Sequence, residues 1–318
     1  MSGWWLWVAA ASAWETDPLT ARAAPVEDSS AAANRYADTL IDTAIAQVNT
    51  ERGCGLDVEA QRDAIAAAIF RETSDRRRVA ARPGLRGEGH GVYSGWLESS
   101  PEVSRRTFDD RSDLFGGIGF GRAPILAAAG TCSLVRIAGV LVGTDKPDHF
   151  WYSGYQYYVV ARRHGEQRAV DYGTHTENAY YGLLTSSTFS YADLHANWQG
   201  YQFYRGLLEP GSEVVRSADG CLTRGAGFDW SRWADWRWDE AFNPNYYAAP
   251  VQRWIDRVLE ERSGEICADV AAELTAMRER ASQALSEPSP WAGAKAPARY
   301  DPYGLQERCD AAVAEGTR

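Results

Sequence analysis

The sequence lacks the short motifs that identify common zinc sites and nucleophilic hydrolases. Its five cysteines form no Cys-x-x-Cys pair and stand beside no histidine, and neither His-Glu-x-x-His nor Gly-x-Ser-x-Gly occurs. Zinc fingers need clustered cysteine and histidine ligands, and α/β-hydrolases need a serine on a sharp turn flanked by glycines. We therefore expect neither class.

Basic charge is also scarce. Lysine and arginine total 33 against 43 acidic residues, which gives a formal net charge of −10 at pH 7. Binding to a phosphate backbone requires a basic footprint, so we expect no nucleic-acid partner. The composition, 45% hydrophobic and 24% charged, is typical of an ordered globular protein.

No lysine or arginine precedes the apolar stretch at the N-terminus. This stretch, residues 4–10, is followed by Ala11-Ser12-Ala13, the small-x-small pattern of a signal-peptidase site. We predict a signal peptide over residues 1–13, with a short hydrophobic N-terminal helix as the alternative. Residues 14–33 contain two prolines and several charges, which predicts a flexible leader.

The cysteines are too far apart for a metal cluster but suit disulfide bonds in an oxidising compartment. We predict the pairs Cys54–Cys132 and Cys267–Cys309, which leaves Cys221 as a free thiol; the spacing alone keeps other pairings open. Together with the signal peptide, the cysteines predict an extracytoplasmic location, whether periplasmic, outer-membrane-associated or secreted.

Long uninterrupted apolar runs are missing. The nearest approach is residues 123–142, but Arg136 lies near its middle, where a cation costs about 2.5–3.5 kcal/mol on insertion. Glycine and hydroxyl residues at 130–133 dilute it further. We expect no transmembrane span and interpret the segment as buried core helix, with membrane contact as the alternative.

Apolar spacing predicts a mainly α fold. We expect a single multi-helix domain over residues 34–287, with a glycine-rich irregular insertion at 79–122 and an aromatic C-terminal wrap. A short hairpin is expected near Tyr93–Leu97, and an irregular tail over 288–318. Helices are predicted at 34–49, from about 57 to 70, at 133–142, 144–163, within 166–184, at 190–207, and one or two within 251–277.

Acidic, amide and histidine side chains concentrate in the predicted core unit, residues 133–207. Asp145 and His149 are four residues apart, as are Asp193 and Asn197, so each pair shares one helix face. Glu177 is expected near the start of the helix between them. If these helices pack together, two carboxylates, an amide and an imidazole converge.

Two interpretations of this convergence are a structural network and a metal site. In the first, the side chains form a buried hydrogen-bonded network that fixes helix register. In the second, Asp145, His149, Glu177 and Asp193 bind a divalent transition metal such as zinc, manganese or iron, because imidazole and carboxylate are suitable ligands.

A third reading is acid–base chemistry without a metal. His149 and Glu177 would be the catalytic pair, since imidazole and a buried carboxyl can exchange protons near neutral pH. Lys146, Asn197 and Tyr201 would then bind a small ligand beside them. The sequence keeps all three readings open.

The same window resembles a family pattern. It is similar to the Asp-Lys-x-x-His-Phe pattern, with its later Glu and Asp-x-x-x-Asn-x-x-Gly, of VanZ-like proteins and small YfiM-like periplasmic lipoproteins. The matching positions are Asp145, Lys146, His149, Phe150, Glu177, Asp193, Asn197 and Gly200. The resemblance covers about 65 of 318 residues. It implies a cell-envelope setting and a structural or functional role for these polar residues.

Four tryptophans, at 230, 233, 236 and 238, form a second candidate site. On an extracytoplasmic protein such rings can stack on carbohydrate, which would make a cell-envelope component or carbohydrate the partner. The alternative, which the spacing favours, is that the rings pack over the core with charged edges outward.

Two functional hypotheses follow from the sequence. The first is a secreted or periplasmic, envelope-associated helical protein whose buried His/Asp/Glu/Asn cluster is structural or binds a small ligand. The second is a metal-dependent hydrolase that acts on a cell-envelope substrate through the same cluster.

Overall fold

The fold is mainly α, as predicted. The computed structural model describes residues 15–74, 91–108, 114–123, 131–179, 182–184, 186–286, 290–291 and 307–309. Its α-helices are α1 Ser30–Arg52, α2 Val58–Ser74, α3 Val92–Ser99, α4 Lys146–Asp148, α5 Gly154–His164, α6 Glu166–Asn178, α7 Tyr191–Gly206, α8 Ala249–Glu261, α9 Ser263–Val270 and α10 Leu274–Ser286. A π-helical turn, His149–Ser153, joins α4 to α5.

The strands are short. They are β1 Arg105–Arg106, β2 Leu134–Ile137, β3 Val140–Gly143, β4 Thr188–Phe189, β5 Val214–Arg216, β6 Leu222–Arg224 and β7 Tyr246–Tyr247. They form a three-stranded antiparallel sheet, β1-β2-β3, and two two-stranded pairs, β4 with β7 and β5 with β6.

The helix predicted for residues 133–142 is wrong. These residues form the β2–β3 hairpin, with Leu134 opposite Gly143 and Ile137 opposite Val140. Ala138 and Gly139 both have positive φ, 53° and 75°, which matches the tight hairpin turn that follows the twist of two strands. A short apolar run rich in β-branched residues has no periodicity that separates a strand from a helix, and the turn residues decide the outcome.

The hairpin predicted near Tyr93–Leu97 is also wrong. Residues 92–99 form α3, which places Tyr93 and Leu97 one turn apart, and both side chains are fully buried. The glycine-rich residues 114–122 form turns, as expected. Residues 79–90 and 109–113 of the predicted insertion lie outside the described residues.

A glycine contact sets the spacing of the central helices. A Cβ on Gly154, the first residue of α5, would lie 2.6 Å from Cα of Gly200 in α7, and a Cβ on Gly200 would lie 2.0 Å from the backbone O of Phe150. The two helix backbones touch. This contact holds the π-helical turn and His149 against the first turns of α7.

Aromatic rings fill the core beside these helices. Trp230 and Trp238 are fully buried, and Trp230 donates a hydrogen bond from Nε1 to the Tyr93 hydroxyl at 2.8 Å. The Trp236 ring instead lies against the guanidinium groups of Arg237 and Arg280. A stacking platform made of all four tryptophans is excluded, because two of the rings face the interior.

The flexible leader predicted for residues 14–33 is wrong wherever the structure describes it, from residue 15 onward. Asp17 is fully buried and accepts the backbone N–H groups of Leu19, Thr20 and Leu114. Arg22 forms a buried bidentate pair with Asp239, at 3.1 and 2.5 Å. Prolines and charges resemble a linker in composition, but here the charges are paired inside the fold.

A second hydrophobic core lies under this N-terminal segment. It combines the turn at 114–123 with α8, α9 and α10. One or two helices were predicted within 251–277; the structure has three, which extend from residue 249 to residue 286. Residues 15–22, which we call the N-terminal strap, make contacts at both ends: Thr16 bonds to Asp145, and Leu19 packs in the second core. Beyond residue 286 the structure describes only 290–291 and 307–309, so most of the predicted irregular tail lies outside it.

Two disulfides are present among the described residues. Cys54 pairs with Cys221, with 4.2 Å between their Cα atoms, and Cys267 pairs with Cys309, with 5.3 Å. The predicted Cys267–Cys309 bond is confirmed, whereas Cys54–Cys132 is wrong and Cys132 is the buried free thiol. Such bonds favour an oxidising compartment.

No helix among the described residues is long and apolar enough to cross a membrane. The described part of the apolar run at 123–142 includes both strands of the β2–β3 hairpin. Residues 124–130 of that run, like the predicted signal peptide over 1–13, lie outside the described residues.

Candidate functional site: a buried charge cluster around Lys146

The ammonium group of Lys146 is the centre of the site. Its Nζ donates to Asp145 Oδ2 at 2.6 Å, to Asp193 Oδ1 at 2.5 Å and to Glu240 Oε1 at 2.6 Å. Lys146 is fully buried, and the three carboxylates are almost as deeply buried. The three acids come from the end of the β2–β3 hairpin, from the first turn of α7 and from the loop after Trp236–Trp238. One side chain thus links three separate segments.

The three hydrogen-bond donors of Lys146 are all used. An ammonium has three donors, and each is used by a different carboxylate. Burial by itself lowers the pKa of Lys146, but the three neighbouring carboxylates outweigh it and raise the pKa well above its usual value. Lys146 is therefore charged at neutral pH, as a buried and fully paired cation must be.

His149 occupies the next position along Asp193. Its Nε2 lies 3.1 Å from Asp193 Oδ2, and its Nδ1 lies 3.0 Å from the Asn197 side-chain amide. Burial lowers the pKa of His149, but the Asp193 carboxylate more than offsets this and raises the pKa above its usual value. The predicted i,i+4 pair Asp193/Asn197 therefore contacts one imidazole at both of its nitrogens.

The Asn197 amide fits this contact best with its NH₂ group toward His149, because Oδ1 in that place would face the backbone oxygens of His149 and Asp193. With Oδ1 toward His149, the imidazole donates from Nδ1; with the NH₂ group turned toward it, Nδ1 accepts, and the amide also reaches the backbone oxygens of His149 and Asp193, at 3.2 and 3.1 Å. In both orientations Nε2 faces the Asp193 carboxylate. The choice decides whether the ring carries one proton or two.

Glu177 lies at the end of α6, not near the start of a helix as predicted. Its Oε1 accepts the backbone N–H of Ser190 at 3.0 Å, directly before α7. Burial, together with the charge of Asp193, raises the pKa of Glu177 to about 8. At neutral pH this side chain is mainly a neutral carboxylic acid.

Asp193 and Glu240 share Lys146 but differ in charge state. Burial raises the pKa of Asp193, but His149 and Lys146 overcome that effect and hold it well below its usual value. Burial raises the pKa of Glu240 to about 7, because Asp193 and Asp145 add repulsion to the desolvation and Lys146 offsets only part of it. Asp193 is therefore the permanent anion of the site.

Several members of the site were not predicted. Glu240 follows Asp239 in the sequence, but the two side chains point apart: Asp239 binds Arg22, while Glu240 reaches Lys146. Asn245 donates to Glu240 Oε2 at 3.0 Å. Loop residues converge through tertiary contacts alone, so no periodicity in the sequence could have placed them there.

The N-terminal strap contributes two more unpredicted residues. The Thr16 hydroxyl donates to Asp145 Oδ1 at 3.3 Å and lies 2.9 Å from the Cys132 thiol. Glu15 is buried near Glu240 and Asp193. Burial and the Asp145 charge raise the pKa of Cys132 well above its usual value, so the thiol stays protonated and inert.

Tyr201, the remaining predicted ligand-binding residue, is not part of the cluster. Its hydroxyl donates to Glu166 Oε2 at 3.0 Å, and Arg205 binds the same oxygen. Of the predicted site residues, the structure brings together Asp145, Lys146, His149, Glu177, Asp193 and Asn197.

A metal could draw on part of this set. Asp145, His149 and Asp193 each offer a ligand atom, and these atoms lie within 4.8 Å of one another; Glu177 is not in the group. However, the Lys146 ammonium already bonds both carboxylates. A divalent ion would have to enter beside this cation and displace it, which is electrostatically unfavourable in a buried site.

Access to solvent is also limited. None of Asp145, Lys146, His149, Glu177, Asp193 and Glu240 exposes more than 6% of its surface. A substrate as large as an envelope polymer has no exposed face of the cluster to contact in this conformation.

Comparisons with protein-family models, with curated proteins and with solved structures found no match for this chain. The resemblance to VanZ-like and YfiM-like proteins therefore stays a prediction. The residues that carry it have a physical explanation in this chain, since Lys146, His149 and Asn197 all connect to Asp145 or Asp193.

Proposed function

We propose that this chain is an exported, envelope-associated or secreted protein in which the Lys146 cluster is structural. In this proposal the protein passes through the membrane with its signal peptide, is cleaved after Ala13 and forms its two disulfides outside the cytoplasm. The disulfides and the small-x-small pattern support export.

The bonding of Lys146 carries the structural assignment. Its three donors are used up by side chains of the protein, and no donor is left to recognise a ligand. The carboxylates it joins belong to segments far apart in sequence, so the cluster acts as a cross-link between hairpin, helix and loop. A buried ion pair that loses one partner leaves an uncompensated charge, typically at a cost of about 3–5 kcal/mol.

Unfolding of Lys146→Met in urea tests this role. We expect the free energy of unfolding to fall by about 3 kcal/mol or more, because three buried carboxylates lose their cation. Arg35→Met is the matched control: Arg35 pairs with Glu102 on the surface, so its loss should stay within about 0.5 kcal/mol. Equal stabilities of the two variants would refute the structural role.

A metal-dependent hydrolase acting on a cell-envelope substrate is the second candidate. The observation in its favour is the close approach of ligand atoms from Asp145, His149 and Asp193. Elemental analysis of purified protein distinguishes the two proposals. One transition-metal ion per chain, lost in His149→Ala, would support the hydrolase; folded protein without metal that takes up none on titration with zinc, manganese or iron would support the structural role.

Export has its own test. The chain should be found outside the cytoplasm with Trp14 as its first residue, as shown by mass spectrometry of the intact protein. Retention in the cytoplasm with residues 1–13 attached would contradict the export proposal.

A further inference from the structure

The β4–β7 pair carries buried polar side chains on one of its faces. Thr188 is paired with Tyr247, so the same register, continued by two residues, places Ser190 opposite Asn245. Opposed residues of an antiparallel pair share a face, and so do residues two apart on one strand. Thr188, Ser190 and Asn245 therefore point to the same side, and all three are fully buried.

Glu240 lies against this face. Its Oε1 accepts the Ser190 hydroxyl at 3.3 Å and the Lys146 ammonium at 2.6 Å. Its Oε2 accepts the Asn245 NH₂ group at 3.0 Å. One oxygen of this carboxylate is thus bonded to a cation, whereas the hydrogen-bond partner of the other is an uncharged amide.

Glu15 reaches the same face from the N-terminal strap. Its carboxyl is within hydrogen-bonding reach of the Ser186 hydroxyl, which also accepts the Thr188 N–H at 3.3 Å. Burial, followed by repulsion from the Glu240 carboxylate, raises the pKa of Glu15 well above its usual value. Two carboxyl groups thus approach Thr188, Glu15 before β4 and Glu240 after it.

Two buried oxygens on this face, Asn245 Oδ1 and Thr188 Oγ1, have no hydrogen-bond partner among the described residues. The Asn245 oxygen belongs to the amide that donates to Glu240, so it lies beside that carboxylate. Thr188 lies between the serines that meet Glu15 and Glu240. A buried polar atom gives up its hydrogen bonds to water on folding, so two such oxygens beside two carboxyls indicate a ligand.

We propose that Glu15, Thr188, Glu240 and Asn245 bind one calcium ion through their side-chain oxygens. Calcium takes about six to eight oxygen ligands in a flexible geometry, and carboxylates and amide carbonyls are its usual protein ligands. Both oxygens of Glu15, Oε2 of Glu240, Oδ1 of Asn245 and Oγ1 of Thr188 approach that number, and the Ser186 hydroxyl can add to it. Magnesium keeps several waters, which a fully buried face does not favour.

Carboxyl groups outnumber basic side chains in this region, which favours a divalent cation. The carboxyls are Glu15, Asp145, Glu177, Asp193 and Glu240, and the basic side chains are Lys146 and His149. A buried carboxyl that meets no cation must bind a proton. Calcium at Oε2 of Glu240 would let Glu15 and Glu240 ionise, while Lys146 keeps its bond to Oε1.

Refolding with and without calcium tests the proposal. The full chain is unfolded in urea with its disulfides intact, freed of metal with EDTA, and refolded in calcium, in magnesium or in EDTA. The calcium form should retain one ion per chain in elemental analysis. With free calcium at about 100 times its Kd, it should melt about 5 °C above the EDTA form, whereas the same concentration of magnesium should change the melting temperature by less than about 1 °C.

Two variants locate the ion. Thr188→Val should be as stable as the wild type in EDTA, because the hydroxyl it removes has no partner among the described residues, but it should bind calcium at least about tenfold more weakly. Thr223→Val, at an exposed position of β6, is its matched control and should keep the wild-type affinity. Glu15→Gln should also weaken calcium binding at least about tenfold, and the exposed Glu51→Gln should not.

A wild-type chain that retains no calcium and melts alike in calcium and in EDTA would overturn the proposal. Calcium affinities of Thr188→Val and Glu15→Gln equal to that of the wild type would overturn this location of the ion. Both results are independent of the stability of Lys146→Met, so a failure of the calcium site is distinguishable from a failure of the structural role of the cluster.

Discussion

At the scale of single residues, the cluster divides its acids into permanent anions and proton carriers. Asp193 faces Lys146 and His149 and keeps its charge, whereas burial and neighbouring carboxylates raise the pKa of Glu177 and Glu240, so that these two hold protons near neutral pH. The difference arises from position, since each of the three side chains is buried to a similar degree. Stability should therefore depend on pH well above the usual range of carboxyl titration.

The sign of this dependence follows from the direction of the pKa shifts. Glu177 titrates at about 8 in the folded chain and near 4.5 when unfolded, so between these values the folded state binds more protons. Its contribution to stability is complete below pH 4.5 and is lost as the pH rises through 8. Glu240, at about 7, and His149, whose pKa is also raised, act in the same direction.

We therefore expect the free energy of unfolding to fall as the pH rises from about 5 to about 9. Urea titrations at several pH values measure this slope. Glu177→Gln should flatten it, because the amide cannot release a proton, while the exposed Glu51→Gln should keep the wild-type slope. A stability that rises over this range would contradict the assignment of protons to Glu177 and Glu240.

At the scale of secondary structure, the junction of α5 and α7 positions the site. Ser190 caps α7 by accepting the Asp193 N–H at 3.1 Å, which orients the first turn that carries Asp193. The direct contact of Gly154 with Gly200 then fixes the distance between this turn and the π-helical turn that carries His149. Side chains on two helices meet only because the backbones are this close.

Gly200→Ala tests the contact. The new Cβ would lie 2.0 Å from the Phe150 carbonyl oxygen, so the helices must separate. We therefore expect the free energy of unfolding to fall by about 2 kcal/mol or more. Gly206→Ala, in the same helix with no atom within 4 Å of the new Cβ, should be neutral or slightly stabilising. Thermal unfolding of both variants measures the difference, and equal changes in their stability would contradict the role of the contact.

The sequence predicted some elements and missed others for physical reasons. Helices with a wide apolar face, such as α1, and the capped α7 were predicted close to their observed bounds, because periodicity and capping are local properties. The β2–β3 hairpin was missed because its turn has no Asn-Gly or Asp-Gly signal. The strap was missed because charge pairing with residues such as Asp239 depends on tertiary structure.

The candidate site shows the same division. The i,i+4 pairs identified Asp145, His149, Asp193 and Asn197, since helix geometry determines which residues share a face. Glu240 and Glu15 come from a loop and from the strap, and only the folded chain reveals that they belong to the cluster. Tyr201 shares α7 with Asp193, but its hydroxyl reaches Glu166 instead.

At the scale of the whole molecule, distant parts of the chain are held together by covalent and ionic links. The Cys54–Cys221 bond spans 167 residues and connects the end of α1 to the segment before β6, and the Cys267–Cys309 bond fastens the C-terminal region to α9. The N-terminal strap links the second hydrophobic core to Asp145. These links explain how a domain with short strands and many loops keeps one arrangement.

Thiol chemistry tests the assigned pairing. The native protein should react with no thiol reagent at Cys132, which is buried and protonated, and the unfolded, unreduced protein should show one reactive thiol among five cysteines. Cys54→Ser should lower the free energy of unfolding by about 2–5 kcal/mol, because its disulfide closes a long loop. A peptide map with Cys132 in a disulfide would refute this pairing.

The most direct test of the structural account is a double-mutant cycle between Lys146 and Asp193, read by urea unfolding of the wild type, Lys146→Met, Asp193→Asn and the double variant. If the cluster is a cross-link built on this contact, the two single substitutions should not be additive. The free energy of unfolding of the double variant should fall by at least about 2 kcal/mol less than the sum of the two single decreases. Single losses that add within about 0.5 kcal/mol would show that the two residues act independently and would contradict the account.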